Sequence, residues 1–242
     1  MKLKELFKKT EQRNTCSAVI VAAGNAQRMG ADKVMLELGC MPVLARTLLA
    51  FQNCDAIDEI IVVTRMEKVE EVASLCKKYG VTKAGKVIRG GKTRMESALA
   101  GVSEVRSNAK LIAIHDGARP FVTDEVIRRT VDAAAAYMSA VPVIRSTDTL
   151  KAIDEDGLIT GSVDRDRTVR VQTPQVFNAD LIKGALTKAV SDGLTLTDDC
   201  SAIEIMGIKT HTVDGDEDNI KLTTPRDIQL GELILKTRGG LQ

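Results

Sequence analysis

Short apolar runs rich in β-branched residues recur along the first part of the chain, at 17–23, 59–64, 86–89, 111–115 and 140–144. They have the length and composition of buried strands. Between them the apolar positions return every three or four residues, over 42–52, 67–79, 93–105 and 124–137. That is the period of a helix with one buried face. The order β-α-β-α-β-α-β-α-β predicts an α/β fold with a mostly parallel, doubly wound sheet. Crossovers between its parallel strands should be right-handed. Ligands of such sheets lie beyond the carboxyl ends of the strands. The residues that follow each run are therefore where chemistry is expected.

The rhythm breaks after residue 144. Residues 145–171 are polar and lack a helical period, and two short β-like runs flank Asp156-Gly157, a hairpin turn signal. The pattern predicts an arm projecting from the sheet. A lone two-stranded arm is marginally stable in water, so it calls for a covering surface, and a second copy of the chain is the simplest source. Beyond it the pattern predicts helices at 179–189, 199–206 and 225–235 and a strand at 209–213. The reading is of a single domain over 15–238, with the arm as its dimerisation element. Residues 1–14 form a basic extension that lacks the apolar stretch of a signal peptide. No window has the length and hydropathy of a membrane span.

Composition narrows this picture. Aromatic residues make up 2% of the chain and tryptophan is absent, so the core must be built from Val, Ile, Leu, Ala and Met, which suits a covered parallel sheet. A chain of 242 residues can bury such a core without disulfides or metal. With 34 basic against 33 acidic residues the net charge is +1. That excludes bulk electrostatic binding to nucleic acid or a membrane surface. An anionic ligand must be held by locally placed cations. The five cysteines, Cys16, Cys40, Cys54, Cys76 and Cys200, are scattered and form no Cys-x-x-Cys pair. They read as reduced, mostly buried thiols, which implies a cytoplasmic location.

Three strand ends carry candidate chemistry. The first run leads into Ala22, Ala23 and Gly24, then a loop holding Arg28 and Lys33. Small residues let backbone N–H groups approach phosphates, and the two cations lie beside them. The spacing fits neither a dinucleotide-binding glycine motif nor a P-loop. A phosphate loop and a tight turn with two solvated charges stand level here. The third run leads into Gly90-Gly91, with Arg94 and Ser97 three apart on one helix face. Alone, this is an ordinary strand-to-helix turn. The fourth run ends in His115-Asp116-Gly117-Ala118-Arg119-Pro120. Asp116 is suited to Mg²⁺ or a substrate hydroxyl and Arg119 to a phosphate, while His115 reads as structural rather than as a base. The clusters at 148–151, 163–165, 172–175 and 218–221 read singly as turn chemistry, and Thr197-Asp198-Asp199 as a helix N-cap.

Taken in order, AAG-(x)3-RM, HDGARP, VDR, QTPQ-x-F, LTDD and DNIKLTTP form a combination far more specific than any one of them. With these motifs the chain resembles the 2-C-methyl-D-erythritol 4-phosphate cytidylyltransferase family from about residue 18 to residue 235. The resemblance implies a Rossmann-like fold of the nucleotide-diphospho-sugar transferase type, with a protruding β-arm, acting as a homodimer. It implies transfer of CMP from CTP to the alcohol phosphate, with pyrophosphate released, in non-mevalonate isoprenoid synthesis. Mg²⁺ would be held mainly by the CTP phosphates, with Asp116 a possible ligand. Arg28 and Lys33 would be catalytic. Ala22, Ala23, Gly24, Gly90, Gly91, Ser97 and Gly117 would bind CTP. Asp116, Arg119, Thr149, Arg165, Thr173 and Lys221 would surround the alcohol phosphate, with Arg165 and Thr173 reaching the partner's site.

The chain departs from the family pattern at Ala26, where a glycine is usual, and at Asp32-Lys33-Val34, where the loop from Arg28 is shortened. No other lysine nearby could replace Lys33. A ribitol 5-phosphate cytidylyltransferase is the nearest alternative, although its motif more often carries Val where Ala118 stands. A non-catalytic nucleotide binder on the same fold is the alternative of another class. It is disfavoured because Arg28, Lys33, Arg165 and Lys221 are all present.

Overall fold

The computed structural model describes residues 14–24 and 34–239. After β1 (Cys16–Val21) come the short strands β2 (Glu37–Leu38) and β3 (Met41–Pro42), then α1 (Val43–Asn53), β4 (Glu59–Thr64), α2 (Val69–Lys78) and β5 (Ala84–Arg89). The chain continues through α3 (Arg94–Ser103), β6 (Leu111–Asp116), α4 (Asp124–Tyr137) and β7 (Ser139–Arg145). Next are β8 (Lys151–Ile153), β9 (Ile159–Ser162), β10 (Val169–Val171) and β11 (Gln175–Asn178). The last elements are α5 (Ala179–Ser191), α6 (Cys200–Ile205), β12 (His211–Asp214) and α7 (Pro225–Thr237).

The main sheet runs β10-β7-β11-β6-β1-β4-β5, and β12 also pairs with β7. Strands β5, β4, β1 and β6 are mutually parallel. Strand β11 lies antiparallel to both β6 and β7, so β6 and β7 point the same way. Alternate residues of each central strand enter opposite cores, as the two-residue period of a strand requires. Ile60 and Val62 meet α1, α2 and α4 through Phe51, Leu75 and Ile127. Ile61 and Val63 meet α3, α5 and α6 through Val102, Ile182 and Ile203. Both faces are thus covered, as the unbroken apolar runs predict. Each fully buried aliphatic side chain contributes roughly 2 kcal/mol.

The structure departs from the pattern reading in four places, the first being the short antiparallel pair of β2 and β3, for which no run was expected. The expected arm at 145–171 is shorter, because β10 rejoins the main sheet beside residues 143–145 of β7. Within 145–171 only β8 and β9 stay apart from that sheet, as a two-stranded ribbon exposed along its length. Strand β11 has no counterpart among the expected elements, since Pro174 just before it reads as a turn. The helix expected from 67 opens with a 3-10 turn, Met66–Lys68. Cys16, Cys54, Cys76 and Cys200 are buried and Cys40 is exposed, and none is joined in a disulfide. No helix among the described residues is long and apolar enough to cross a membrane.

Candidate active site

The carboxyl ends of β1, β5 and β6 open on one crevice of about 500 Å³. Ala22, Ala23, Gly24, Gly91, Ser97, Asp116 and Lys221 line it. The N–H of Ala22 donates to the Val63 carbonyl at 2.7 Å, which extends the β1–β4 pairing to the strand end. A Cβ at Gly90 would stand 2.6 Å from Ser97 Oγ and 2.8 Å from Ala23 Cβ. Only glycine lets the β5 end approach the β1 end this closely. Ser97 donates to the Thr93 carbonyl at 2.8 Å and accepts from the Gly91 N–H at 3.1 Å. Its hydroxyl therefore shapes the Gly90-Gly91 turn. Thr93 and Glu96 form a capping box that opens α3 at the same turn. Gly117 sits behind, with its N–H on the Val21 carbonyl at 2.9 Å.

Asp116, the last residue of β6, gathers three cations. Its Oδ1 accepts from Arg94 Nε at 3.2 Å, and its Oδ2 lies 2.8 Å from Lys221 Nζ and 3.6 Å from Arg119 Nε. Burial alone would push this carboxyl up. Arg94, Lys221 and Arg119 outweigh burial and hold it well below the ordinary carboxylate range. Arg94 also grips Asp199 in a fork, at 2.9 Å from Nη1 and 2.7 Å from Nη2. Asp199 is fully buried, and burial pushes its carboxyl up against the pull of Arg94. Three cations thus face two carboxylates in a largely buried cluster. The surplus positive charge at a partly buried crevice wall suits an incoming phosphate.

Behind Asp116 lies a second polar layer. The Asp116 N–H donates to Thr173 Oγ at 3.2 Å, and Thr173 meets His115 Nδ1 at 3.0 Å. His115 is fully buried, and burial drives its imidazole down to about 3, so it is neutral. It is structural, as the sequence suggests. Asn219 donates to the Thr173 carbonyl at 2.9 Å, and its own carbonyl accepts from Arg119 at 2.7 Å. The motifs HDGARP, QTPQ and DNIK therefore interlock within one chain.

This arrangement corrects one expectation. Thr173 lies against its own chain's Asp116 rather than reaching away from it. The N-cap expected at 197–199 is present, with Asp199 at the cap position of α6; Asp198 accepts from the Ser201 N–H, while the Asp199 carboxylate is held by Arg94. Thr149 and Arg165 are exposed on the arm and are not among the crevice's lining residues. The Arg165 guanidinium lies 3.5 Å from the Thr147 carbonyl, in a shallow hollow with Arg145 and Ser146. Arg28 and Lys33 lie outside the described residues. Arg65 and Lys92 also line the crevice. Neither was singled out from the sequence; the strand-end rule could have found Arg65, which follows β4 directly. Among the described residues no group of three His, Cys, Asp or Glu side chains could hold a metal ion. Asp116, the one expected ligand, already serves three cations.

The family profile for 2-C-methyl-D-erythritol 4-phosphate cytidylyltransferase matches residues 16–237. A protein of that name from Caldanaerobacter subterraneus subsp. tengcongensis is 42% identical over 91% of this chain and 98% of its own. Another, from Clostridium novyi, is 38% identical over 90% and 96%. The crystal structure of 4-diphosphocytidyl-2C-methyl-D-erythritol synthase from Anaerococcus prevotii superposes with a TM-score of 0.83 at 31% identity, over 92% of this chain and 96% of that one. The Thermus thermophilus cytidylyltransferase superposes with a TM-score of 0.73 at 29% identity, over 92% and 99%. The motifs, the sheet with its strand-end crevice and these likenesses agree, and the chain belongs to the 2-C-methyl-D-erythritol 4-phosphate cytidylyltransferase family.

Proposed function

We propose that this crevice binds CTP beside the alcohol phosphate and transfers the cytidylyl group between them. An oxygen of the 2-C-methyl-D-erythritol 4-phosphate attacks the α-phosphorus of CTP. A new P–O bond forms there, the bond from the α-phosphorus to the bridging oxygen breaks, and pyrophosphate departs with the electron pair. The product is 4-diphosphocytidyl-2-C-methyl-D-erythritol. A phosphate monoester with a second pKa of about 6 is already a nucleophile near neutral pH. The chain needs no strong base, in keeping with the buried, neutral state of His115. Its work is positioning and charge neutralisation.

The observation that carries this reading is the Asp116 cluster, with its positive surplus at the crevice wall. We assign Lys221 and Arg119 to the attacking phosphate and Asp116 to holding those two cations and orienting the alcohol. Ala22, Ala23, Gly24, Gly90, Gly91, Ser97 and Gly117 form the CTP side. Arg28 and Lys33, from the loop after β1, neutralise the charge that grows on the α-phosphoryl group. A divalent cation, Mg²⁺ in this reading, arrives as part of the nucleotide substrate, because Asp116 is committed to its cations. Thr149 and Arg165 come from the arm of a partner subunit in a homodimer. The cysteines, none joined in a disulfide, support a reducing, cytoplasmic setting.

The test measures pyrophosphate release with each of the four nucleoside triphosphates against both methylerythritol and ribitol phosphates. Turnover confined to CTP with methylerythritol phosphate is expected. Preference for ribitol phosphate, or CTP binding without release, overturns the assignment.

A further inference from the structure

His115 and Asn219 belong to the sequence motifs yet have no part in the chemistry above. His115 is fully buried at the end of β6, its ring tilted at 55° to that of Phe51 with centroids 4.8 Å apart. Its Nε2 lies 3.1 Å from the Arg119 carbonyl oxygen and its Nδ1 lies 3.0 Å from Thr173 Oγ. A carbonyl oxygen only accepts, so Nε2 must carry the proton. In a neutral ring Nδ1 then has only a lone pair to offer, and the Thr173 hydroxyl must donate to it. Thr173 Oγ in turn accepts from the Asp116 N–H at 3.2 Å. Every proton in this layer is thereby assigned. The charged groups nearest the ring, Asp116 and Arg119, belong to the turn that it holds.

We infer that His115 is a positioning residue for the acceptor half of the site: as the Nε2–H tautomer it ties the 116–119 turn to Thr173 and fixes the direction of the Thr173 hydroxyl. Thr173 has no proton left for a phosphate, and its remaining lone pair can only accept. Any contact it makes to the alcohol phosphate is therefore as an acceptor from a hydroxyl rather than as a phosphate ligand. The inference rests on the proposal that Asp116 and Arg119 face the alcohol phosphate.

The chain has two histidines, so a His211→Gln variant leaves a single imidazole to observe by ¹⁵N NMR. A neutral Nε2–H pattern is expected from about pH 5 to about pH 9. An imidazolium at the acid end, or an Nδ1–H pattern, overturns the inference whatever the kinetics show. In turnover, His115→Phe should raise KM for the alcohol phosphate about tenfold while KM for CTP stays within about twofold. Thr173→Ser keeps the hydroxyl and should lose less than Thr173→Val. Thr173→Val added to His115→Phe should cost little more than either alone. Equal rises in both KM values, or full additivity of the two changes, would mean that His115 supports only the fold. Absence of any CTP-dependent turnover in the wild type defeats the reading of the site itself, and the nitrogen spectrum still decides the tautomer.

Discussion

The Asp116 carboxylate meets Arg94, Lys221 and Arg119 within 3.6 Å, so its chemistry and its place in the fold are tied together. Read from sequence, Asp116 is a strand-end residue facing a ligand, and its replacement by Asn should spare the fold. The structure adds the cations, and removing one partner of a buried ion cluster typically costs about 3 kcal/mol or more. Asp116→Asn is therefore expected to lower the melting temperature by several degrees and to cut turnover per folded molecule roughly a hundredfold. Retained turnover in the folded fraction would show that the charge serves stability alone. His115 supplies a pH signature. Its imidazole is pushed down to about 3 in the folded chain, against about 6.5 unfolded. The unfolded chain thus takes up a proton first, and stability is lost as pH falls from about 6.5 toward about 3, by up to about 1.4 kcal/mol per unit. Asp199, whose carboxyl is pushed up by burial, works in the opposite sense in the lower part of that window. Calorimetry across this range should show a shallower slope for His115→Phe than for wild type. Parallel curves would mean that His115 is not the group responsible.

At the scale of elements, the strands and helices with a clear period were legible and the strands without one were not. Strand β6 announced itself as an apolar run, and its last residues were recognised as a candidate site from position alone. Strand β11 has four residues, too few to show a period, and the preceding proline masks it. Its place between β6 and β7 depends on long-range pairing that no local pattern encodes. The Arg94–Asp199 fork was hidden for the same reason, since the two residues meet only when α3 and α6 pack on one face of the sheet. Glycine spacing gave a partial signal. A Cβ at Gly101 of α3 would collide with Val19 and Val63 side chains on β1 and β4. Gly101→Ala is therefore expected to destabilise by about 1–3 kcal/mol, although alanine favours a helix. Chemical denaturation measures this, and a neutral or stabilising result would mean that α3 shifts without cost. Gly90→Ala should also weaken CTP binding in the protein that remains folded, because its Cβ would press on Ser97 and Ala23 at the crevice. Titration of CTP into folded protein separates the two cases, and unchanged affinity would remove Gly90 from the nucleotide site.

At the scale of the whole molecule, the arm is the part that one chain leaves incomplete. Strands β8 and β9 pair only with each other, and Ile153, Leu158 and Ile159 are each about two-thirds exposed, at 65, 65 and 67%. Polar composition made the arm readable in the sequence, but nothing in a single sequence says which surface covers it. The arm also carries Thr149 and Arg165, while Thr173 and Lys221 stand at their own chain's Asp116. A symmetric dimer would cover one arm with the other through a self-complementary contact and would bring Arg165 to the partner's acceptor phosphate. Two variants separate a shared site from a self-contained one. In such a dimer Arg165→Met would remove the cation delivered across the interface, and Lys221→Met the one supplied from within. Each alone is expected to be inactive. In a mixed dimer after subunit exchange, one site collects both lesions and the other collects neither. Activity should then reappear, approaching a quarter of the wild-type level when random exchange makes about half the dimers mixed and each mixed dimer has one intact site. If both residues act within one subunit, every site in the mixture keeps a lesion and the mixture stays inactive. That outcome, with exchange verified by mass spectrometry, rules out the shared site, and a monomer at micromolar concentration in the ultracentrifuge rules out the dimer.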